Sequence, residues 1–243
     1  MDDIRPILDA WPYDPGSNVR KIVGIDGREK LQIRLPLGIQ QFELDGRPDG
    51  ARPEGKESLL DVYMDRATAS EQAGEEFNLS SEDCASLAAE SVSYYQRYVV
   101  LFQMGDYKRT ARDTEHNIRL FGFVQQYGTE EEDITSLIQY WPYLIRMNRM
   151  ALIMDALNEE RHDKAAELVR EAIELIEELA PVDTPTFVYE KQRSLELLYE
   201  LKDELAKRHP PSERERLRKE LEEAIRLEDY ERAAKLRDRL KEL

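Results

Sequence analysis

Cysteine is almost missing from this chain. Cys84 stands alone among 243 residues, so no internal disulfide can form and a reducing cytoplasm is the simplest compartment. Long apolar runs are missing too, and none approaches the ~20 residues that cross a bilayer. The acidic opening Met1-Asp2-Asp3-Ile4 offers no apolar stretch for an ordinary signal peptide, so a soluble, cytoplasmic protein is expected. Positive charge is scarce: 35 Lys and Arg stand against 51 Asp and Glu, a formal net charge of -16. A body of that sign repels a phosphate backbone at long range, which argues against direct nucleic-acid binding. Neither GxGxxG nor GxxxxGK(S/T) occurs, and the glycines between Gly46 and Gly55 follow neither spacing, so a nucleotide-cradling loop has no support.

What the chain does have is abundant charge on a helical pattern. Hydrophobic residues make up 41% and charged residues 35%, a balance that suits a folded, very polar, helix-rich protein. The length allows one large domain or two small ones. The charge is uneven. Residues 212–243 hold ten Lys/Arg and ten Asp/Glu and are neutral, which leaves 25 basic and 41 acidic residues, and all of the -16, to the rest.

The N-terminal part carries strand signals. Residues 19–25 are apolar-rich, Asp26-Gly27 predicts a two-residue hairpin turn, and Leu31-Gln32-Ile33-Arg34-Leu35 alternates strictly. Pro36 and Gly38 punctuate before a third strand over 39–44, which completes a small antiparallel β-meander. Its Leu31, Ile33 and Leu35 face must rest on something, because a lone small sheet is marginal. The Gly- and Pro-rich residues 45–56 read as a linker or an exposed excursion.

From residue 57 onward the period is helical. Helices are expected over 57–73, from a cap at Ser80 to near Gly105, from Asp106-Tyr107 through Val124, and from a capping box at Thr129-Glu130-Glu131-Glu132. Pro142 should kink or break that last one. Two more are expected over 162–179 and 187–207, separated by Pro181 and Pro185. Pro210-Pro211 is the best domain boundary, and Ser212 to Glu215 forms another capping box. The expected organisation is a meander and linker over 1–56, a helical-hairpin bundle over 57–209, and a C-terminal helical hairpin over 212–243.

Three places share one local grammar. Gly105-Asp106-Tyr107-Lys108-Arg109-Thr110-Ala111, Arg161-His162-Asp163-Lys164-Ala165-Ala166 and Asp229-Tyr230-Glu231-Arg232-Ala233-Ala234 each run from a tight turn to a ring-bearing residue, with small residues three and four positions later. The small pair lets the second helix lie close to the first, and the ring would close the open end of the hairpin. Tetratricopeptide (TPR) hairpins use the same physics, but separations of 55 and then 68 residues give no regular repeat. The fold class is therefore mainly α, a TPR-like helical-hairpin bundle with a small N-terminal β-meander.

In the last segment, Leu217, Leu221, Ala224 and Ile225 form one stripe. Tyr230, Ala233, Leu236 or Arg237, Leu240 and Leu243 form its counterpart. Two short helices would face each other along these stripes, with a core so small that another surface should complete it. Balanced charges on their outer faces suit i,i+4 pairing and partner selection. The stretch resembles the UVR motif, the helical hairpin named for the excision-repair proteins UvrB and UvrC. The matching residues are Leu221, Glu222, Ala224, Asp229, Tyr230, Glu231, Ala233, Ala234, Leu236, Arg237, Asp238 and Leu243, with Ala-Ala-x-Leu-Arg-Asp the specific core. The family usually has Phe in place of Tyr230, whose hydroxyl calls for a wet edge or a partner acceptor. The resemblance implies protein–protein association without catalysis, as in excision repair and some Clp-associated stress proteins. It assigns partner contact to Tyr230, Arg232, Ala233, Ala234, Leu236, Arg237, Asp238 and Leu240. The partner would be a Uvr-type or Clp-type protein or a second copy of the chain.

Other groupings have simpler explanations. Glu159-x-x-His162 and Asp113-x-x-His116 have the spacing by which paired helices ligate di-iron sites, but acid–His pairs arise easily in so acidic a chain and two further inward carboxylates would be needed. Cys84 follows a helix start, where a thiolate could be stabilised, yet a buried structural thiol explains it as well. Tyr94, Tyr95, Tyr98 and Phe102, with Tyr140, Trp141 and Tyr143, are the main aromatic clusters and read first as core, or else as the wall of a peptide groove. No complete catalytic constellation, metal site or cofactor motif is legible. The expected function is that of a noncatalytic adaptor. An accessory factor of nucleotide excision repair is the alternative, and a metal-dependent enzyme is a third class.

Overall fold

The computed structural model describes residues 3–208 and 213–242, so Pro210-Pro211, Ser212 and Leu243 lie outside the described residues. A short helix that the sequence does not announce, α1 (Arg5–Ala10), opens the chain with Pro6 in its first turn and no buried residue. Three strands follow, β1 (Val19–Val23), β2 (Glu29–Leu35) and β3 (Gly38–Glu43), as an antiparallel meander in the order β1-β2-β3. Register places Leu31 between Lys21 and Phe42, and Gln32 between Arg20 and Gln41. Strand alternation then sends Leu31, Ile33 and Phe42 to one face, where they pack on Val100 and Leu101 of the second long helix. Leu35, expected on that face, overhangs its edge and is exposed.

The first hairpin corrects the sequence expectation. Gly24 donates to the carbonyl of Arg28 at 2.8 Å and Gly27 to that of Gly24 at 3.0 Å, which makes a three-residue loop with Gly27 left-handed at φ 75°. In a three-residue loop of this kind, closed by a left-handed glycine, Asp26-Gly27 is the second part of the loop and not the whole turn. The two-residue connection is Pro36-Leu37, between paired Leu35 and Gly38. On the outer face a polar row replaces apolar packing. Arg20 donates to Gln32 at 2.9 Å, Gln32 donates to Gln41 at 2.8 Å, and the Arg20 guanidinium lies 3.9 Å over the Trp11 ring.

Residues 45–56 are not a free linker. Arg97 donates to the carbonyls of Glu43 and Gly46 at 2.6 and 2.9 Å, and Arg47 lies 3.1 Å from the Glu90 carboxylate. Glu90 in turn accepts the backbone N–H groups of Leu59 and Leu60 at 2.7 and 3.1 Å, so a buried carboxylate satisfies the first donors of the next helix.

That helix is α2 (Leu59–Ala73), capped by Ser58. Then come α3 (Ser81–Gln103), with the expected capping box between Ser80 and Asp83, α4 (Tyr107–Tyr127), α5 (Glu131–Ile138), α6 (Trp141–Asn158), α7 (His162–Glu177) and α8 (Pro185–Arg208). The box expected at Thr129 does not form. Glu130 occupies the cap position without a capping side chain, and Thr129 Oγ1 instead donates to the Leu79 carbonyl at 3.5 Å. Pro142 ends the pattern as anticipated, because it sits in the first turn of α6, where a missing N–H costs nothing.

One apolar core gathers α2 to α6 around Leu60, Leu87, Leu120, Val124 and Leu144. A second gathers α6, α7 and α8 around Ile153, Val169, Ile176 and Leu198. The chain ends in α9 (Glu213–Arg226) and α10 (Tyr230–Glu242). No helix among the described residues is long and apolar enough to cross a membrane.

Candidate functional site

The three shared sequence stretches fold into the same turn. Gly105, Glu160 and Glu228 take left-handed backbone at φ 76°, 57° and 56°. The next residue reaches back five positions in each case: Asp106 to the Leu101 carbonyl at 2.9 Å, Arg161 to Ala156 at 2.8 Å, and Asp229 to Ala224 at 2.8 Å. This is the Schellman arrangement, which satisfies the last carbonyls of one helix while the next begins. A glutamate in that conformation costs roughly 1 kcal/mol more than glycine. The second helix then buries its small residue, Thr110, Ala165 or Ala233, against the end of the first.

The rings part company at this point. Tyr107 meets Phe102 edge-on at 5.4 Å and closes the α3–α4 hairpin. The equivalent pair at the C-terminus, Ile225 and Tyr230, is turned outward, with exposures of 52% and 68%. Tyr230 therefore does not seal the seam between α9 and α10 as the sequence grammar suggested.

The α9–α10 hairpin has its own small core. Leu217, Ala224, Ala233 and Leu236 are buried together, with Leu221 and Leu240 packed against them. Spacings of three and four residues put these side chains on one narrow stripe of each helix, the geometry of a short coiled-coil seam. Between Leu236 and Arg237, the seam takes Leu236. Ile225 lies about 100° around the helix from Ala224, so an approach set by two facing alanines leaves it outside.

The residues nominated for partner contact thus divide. Ala233, Leu236 and Leu240, with the half-buried Ala234, hold the hairpin together. Tyr230, Arg232, Arg237 and Asp238 lie on its surface. Arg232 lies 3.6 Å from Glu220 across the seam, Arg239 lies 3.3 Å from Glu213, and Arg237 donates to Asp238 at 2.9 Å. Arg226 lies 2.7 Å from Glu223, and this pairing holds the Glu223 carboxyl below its usual range. Sequence reasoning missed Leu227, which is 62% exposed beside the turn. Its signal was available, since a leucine in the joint between two short helices has no seam position to fill. Ile225, Leu227 and Tyr230 together make an apolar tip on a charge-balanced hairpin.

Among the described residues, the hairpin's apolar cluster includes none from the body. Towards the body, Arg218 donates to Glu167 of α7 at 3.3 Å, beside a cleft lined by Lys164 and Arg170 of α7 and by Arg214 and Leu240 of the hairpin.

The other candidate groups are occupied. Asp113 accepts from Arg97 at 2.6 and 2.8 Å, and both side chains are fully buried. His116 stacks on Tyr94 with ring centroids 3.8 Å apart, and its Nε2 lies 3.3 Å from Glu90. Burial alone would raise the Glu90 carboxyl, but His116 and the two backbone donors outweigh it and hold it below its usual range. Burial pushes the Cys84 thiol up, so the thiolate is disfavoured. Among the described residues no group of three or more His, Cys, Asp or Glu is placed to hold a metal ion.

The family model described as the UvrB/uvrC motif matches residues 212–243. That span is the α9–α10 hairpin, and it leaves the rest of the chain outside the match. No curated protein and no solved structure matches the chain.

Proposed function

We propose that this protein is a noncatalytic adaptor whose helical body presents the UVR hairpin to a protein partner. The observation that carries the reading is the exposed tip of Ile225, Leu227 and Tyr230, on a hairpin that keeps a core separate from the body. Aromatic and aliphatic side chains exposed on a small rigid element are the usual anchors of an interface, and the surrounding paired charges supply register and selectivity. A Uvr-type or Clp-type protein, or a second copy of this chain, is the class of partner that the motif supports. The match to a motif named for excision proteins favours one second reading, an accessory factor that recruits such proteins to repair. In either case the acidic body would meet DNA only through its partner.

The test compares the full chain, a chain ending at residue 208, and Tyr230→Ala in pull-downs from native extract, with melting recorded on the same samples and self-association followed by sedimentation. Expected is loss of one defined partner, or of self-association, from both altered proteins, with Tyr230→Ala costing on the order of 2 kcal/mol of binding. Body melting should be unchanged. Lower melting with partner binding intact would assign the hairpin to capping the body instead. A tight gel shift with DNA that weakens steeply with salt would overturn the indirect contact.

A further inference from the structure

The hairpin is neutral as a whole but not along its length. Its turn half, residues 222–234, carries five Asp/Glu against two Lys/Arg, while residues 213–221 and 235–242 carry five Asp/Glu against eight Lys/Arg. The basic half is the one that meets the body, through Arg218 and Glu167 of α7 at 3.3 Å, and the body holds all of the -16. Opposite charges thus set the hairpin's direction. Its basic end faces the acidic body, and the acidic end, with Ile225, Leu227 and Tyr230, is left uncovered.

Some of the tip carboxylates are used within the hairpin. Glu223 lies 2.7 Å from Arg226, Glu231 lies 2.9 Å from Lys235, and Asp229 accepts the Arg232 N–H at 3.1 Å. Glu222 and Glu228 are exposed and make no ion pair with any described residue. Glu222 precedes Ile225 by three positions, on the same helical face, and Glu228 directly follows Leu227. Unpaired negative charge therefore borders the exposed apolar side chains, and an apolar centre inside a charged rim is the plan of a protein interface. A second copy of the chain would bring the same acidic tip and an equally acidic body, and like charges facing each other repel.

We propose that the tip docks on a different protein, whose surface offers an apolar pocket ringed by Lys and Arg. Ile225, Leu227 and Tyr230 enter the pocket, and Glu222 and Glu228 meet its rim. The inference rests on the adaptor reading and adds to it the chemistry of the partner.

The experiment titrates the full-length protein with labelled synthetic helical peptides, followed by fluorescence anisotropy. Three carry a leucine stripe flanked by lysine, glutamine or glutamate, and a fourth is a lysine–glutamine helix without leucine. Expected is saturable binding of the leucine–lysine peptide, at least tenfold tighter than that of the leucine–glutamine peptide at low salt. The two should converge at high salt, and the leucine–glutamate peptide should not bind. Leu227→Ser with Tyr230→Ser should weaken leucine–lysine binding at least tenfold, and Glu222→Gln with Glu228→Gln at least fivefold. The leucine-free peptide, which reads general attraction to the acidic body, should change less than twofold in either variant. If the serine variant loses helicity, the glutamine variant and the salt series still decide the matter. Equal binding of the lysine and glutamine forms, lost in the serine variant, would overturn the charged rim and leave the docking reading standing. Leucine–lysine binding that both variants leave unchanged would belong to the body and overturn the proposal. Absence of saturation by any peptide at millimolar concentration would overturn it too, whereas the adaptor reading stands or falls on the pull-down.

Discussion

Removing the carboxylate of Asp113 should expose how much of the fold rests on one buried ion pair. Arg97 is 0% exposed and donates twice to Asp113, at 2.6 and 2.8 Å, while its Nη1 holds the Glu43 and Gly46 carbonyls. Asp113→Ala leaves that guanidinium buried without a counter-charge. Arg112, which also donates to Asp113 at 3.0 Å, adds a like charge beside it. Breaking a buried pair from one side costs about 3–5 kcal/mol. At ~2–4 °C per kcal/mol for a chain of this size, melting should fall by roughly 6–20 °C. The double substitution Arg97→Met with Asp113→Leu removes both charges and should recover much of the loss. Recovery should be incomplete, because the loop after β3 loses its clamp. Thermal melting by circular dichroism, with urea unfolding for the free-energy scale, reads all three proteins. A single Asp113→Ala that melts within about 2 °C of the parent would refute the reasoning, since water would then be solvating a group described as sealed.

Two further outcomes follow from the body. At Gly128 an added Cβ would stand 2.7 Å from the Val124 carbonyl and 2.9 Å from Ile134, so Gly128→Ala should cost about 1–3 kcal/mol in urea unfolding, and a neutral result would show the α4–α5 junction to be pliable. The Glu90 carboxyl is held below its ordinary value of 4.5, so the stability it contributes is present above that pH and drains away as pH falls through its lower folded value. Melting should therefore drop on acidification below that point, and Glu90→Gln should flatten the drop; an unchanged acid limb in Glu90→Gln would assign the loss to other carboxylates.

Sequence legibility followed how local each signal is. The three strands and the helices from α2 to α10 announce themselves through periodicity and caps that lie within a few residues of what they control, such as Ser80 with Asp83. Pro142 broke its helix for a reason confined to its own ring and missing N–H. What the sequence concealed depends on partners far along the chain. Residues 45–56 look like a linker because their anchors, Glu90 and Arg97, arrive from α3. Thr129 looks like a cap because nothing nearby reveals that Leu79 will lie against it. α1 carries no buried residue and so no apolar period to detect. In the hairpin, the seam residues were legible from spacing, but the outward turn of Ile225 and Tyr230 depends on how closely two alanines let the helices approach. Tyr95 and Tyr140 line one cavity with residues from α3, α4, α5, α6 and α8, and only the assembly of those five helices brings them together.

The neutrality of the last segment can be traced to the same geometry. Two leucines and two alanines form the buried seam of α9 and α10, while isolated domains below about 40 residues usually need a disulfide, a metal or a partner to stay folded. Cross-seam pairs such as Arg232 with Glu220 and Arg239 with Glu213 are solvent-exposed and add at most about 1 kcal/mol each, so they set register more than stability. A partner that covers Ile225, Leu227 and Tyr230 would supply the missing apolar burial. Each side chain removed from water contributes roughly 1.5–3 kcal/mol when fully covered, and such a gain is large beside the hairpin's own margin. Hydrogen exchange on the full chain should therefore show α9 and α10 amides opening well before those of α3 and α4, and slowing on partner addition by more than the body amides do. Hairpin amides as protected as those of α3 without any partner would mean that the seam is sufficient alone, and the exposed tip would lose its energetic reason to dock.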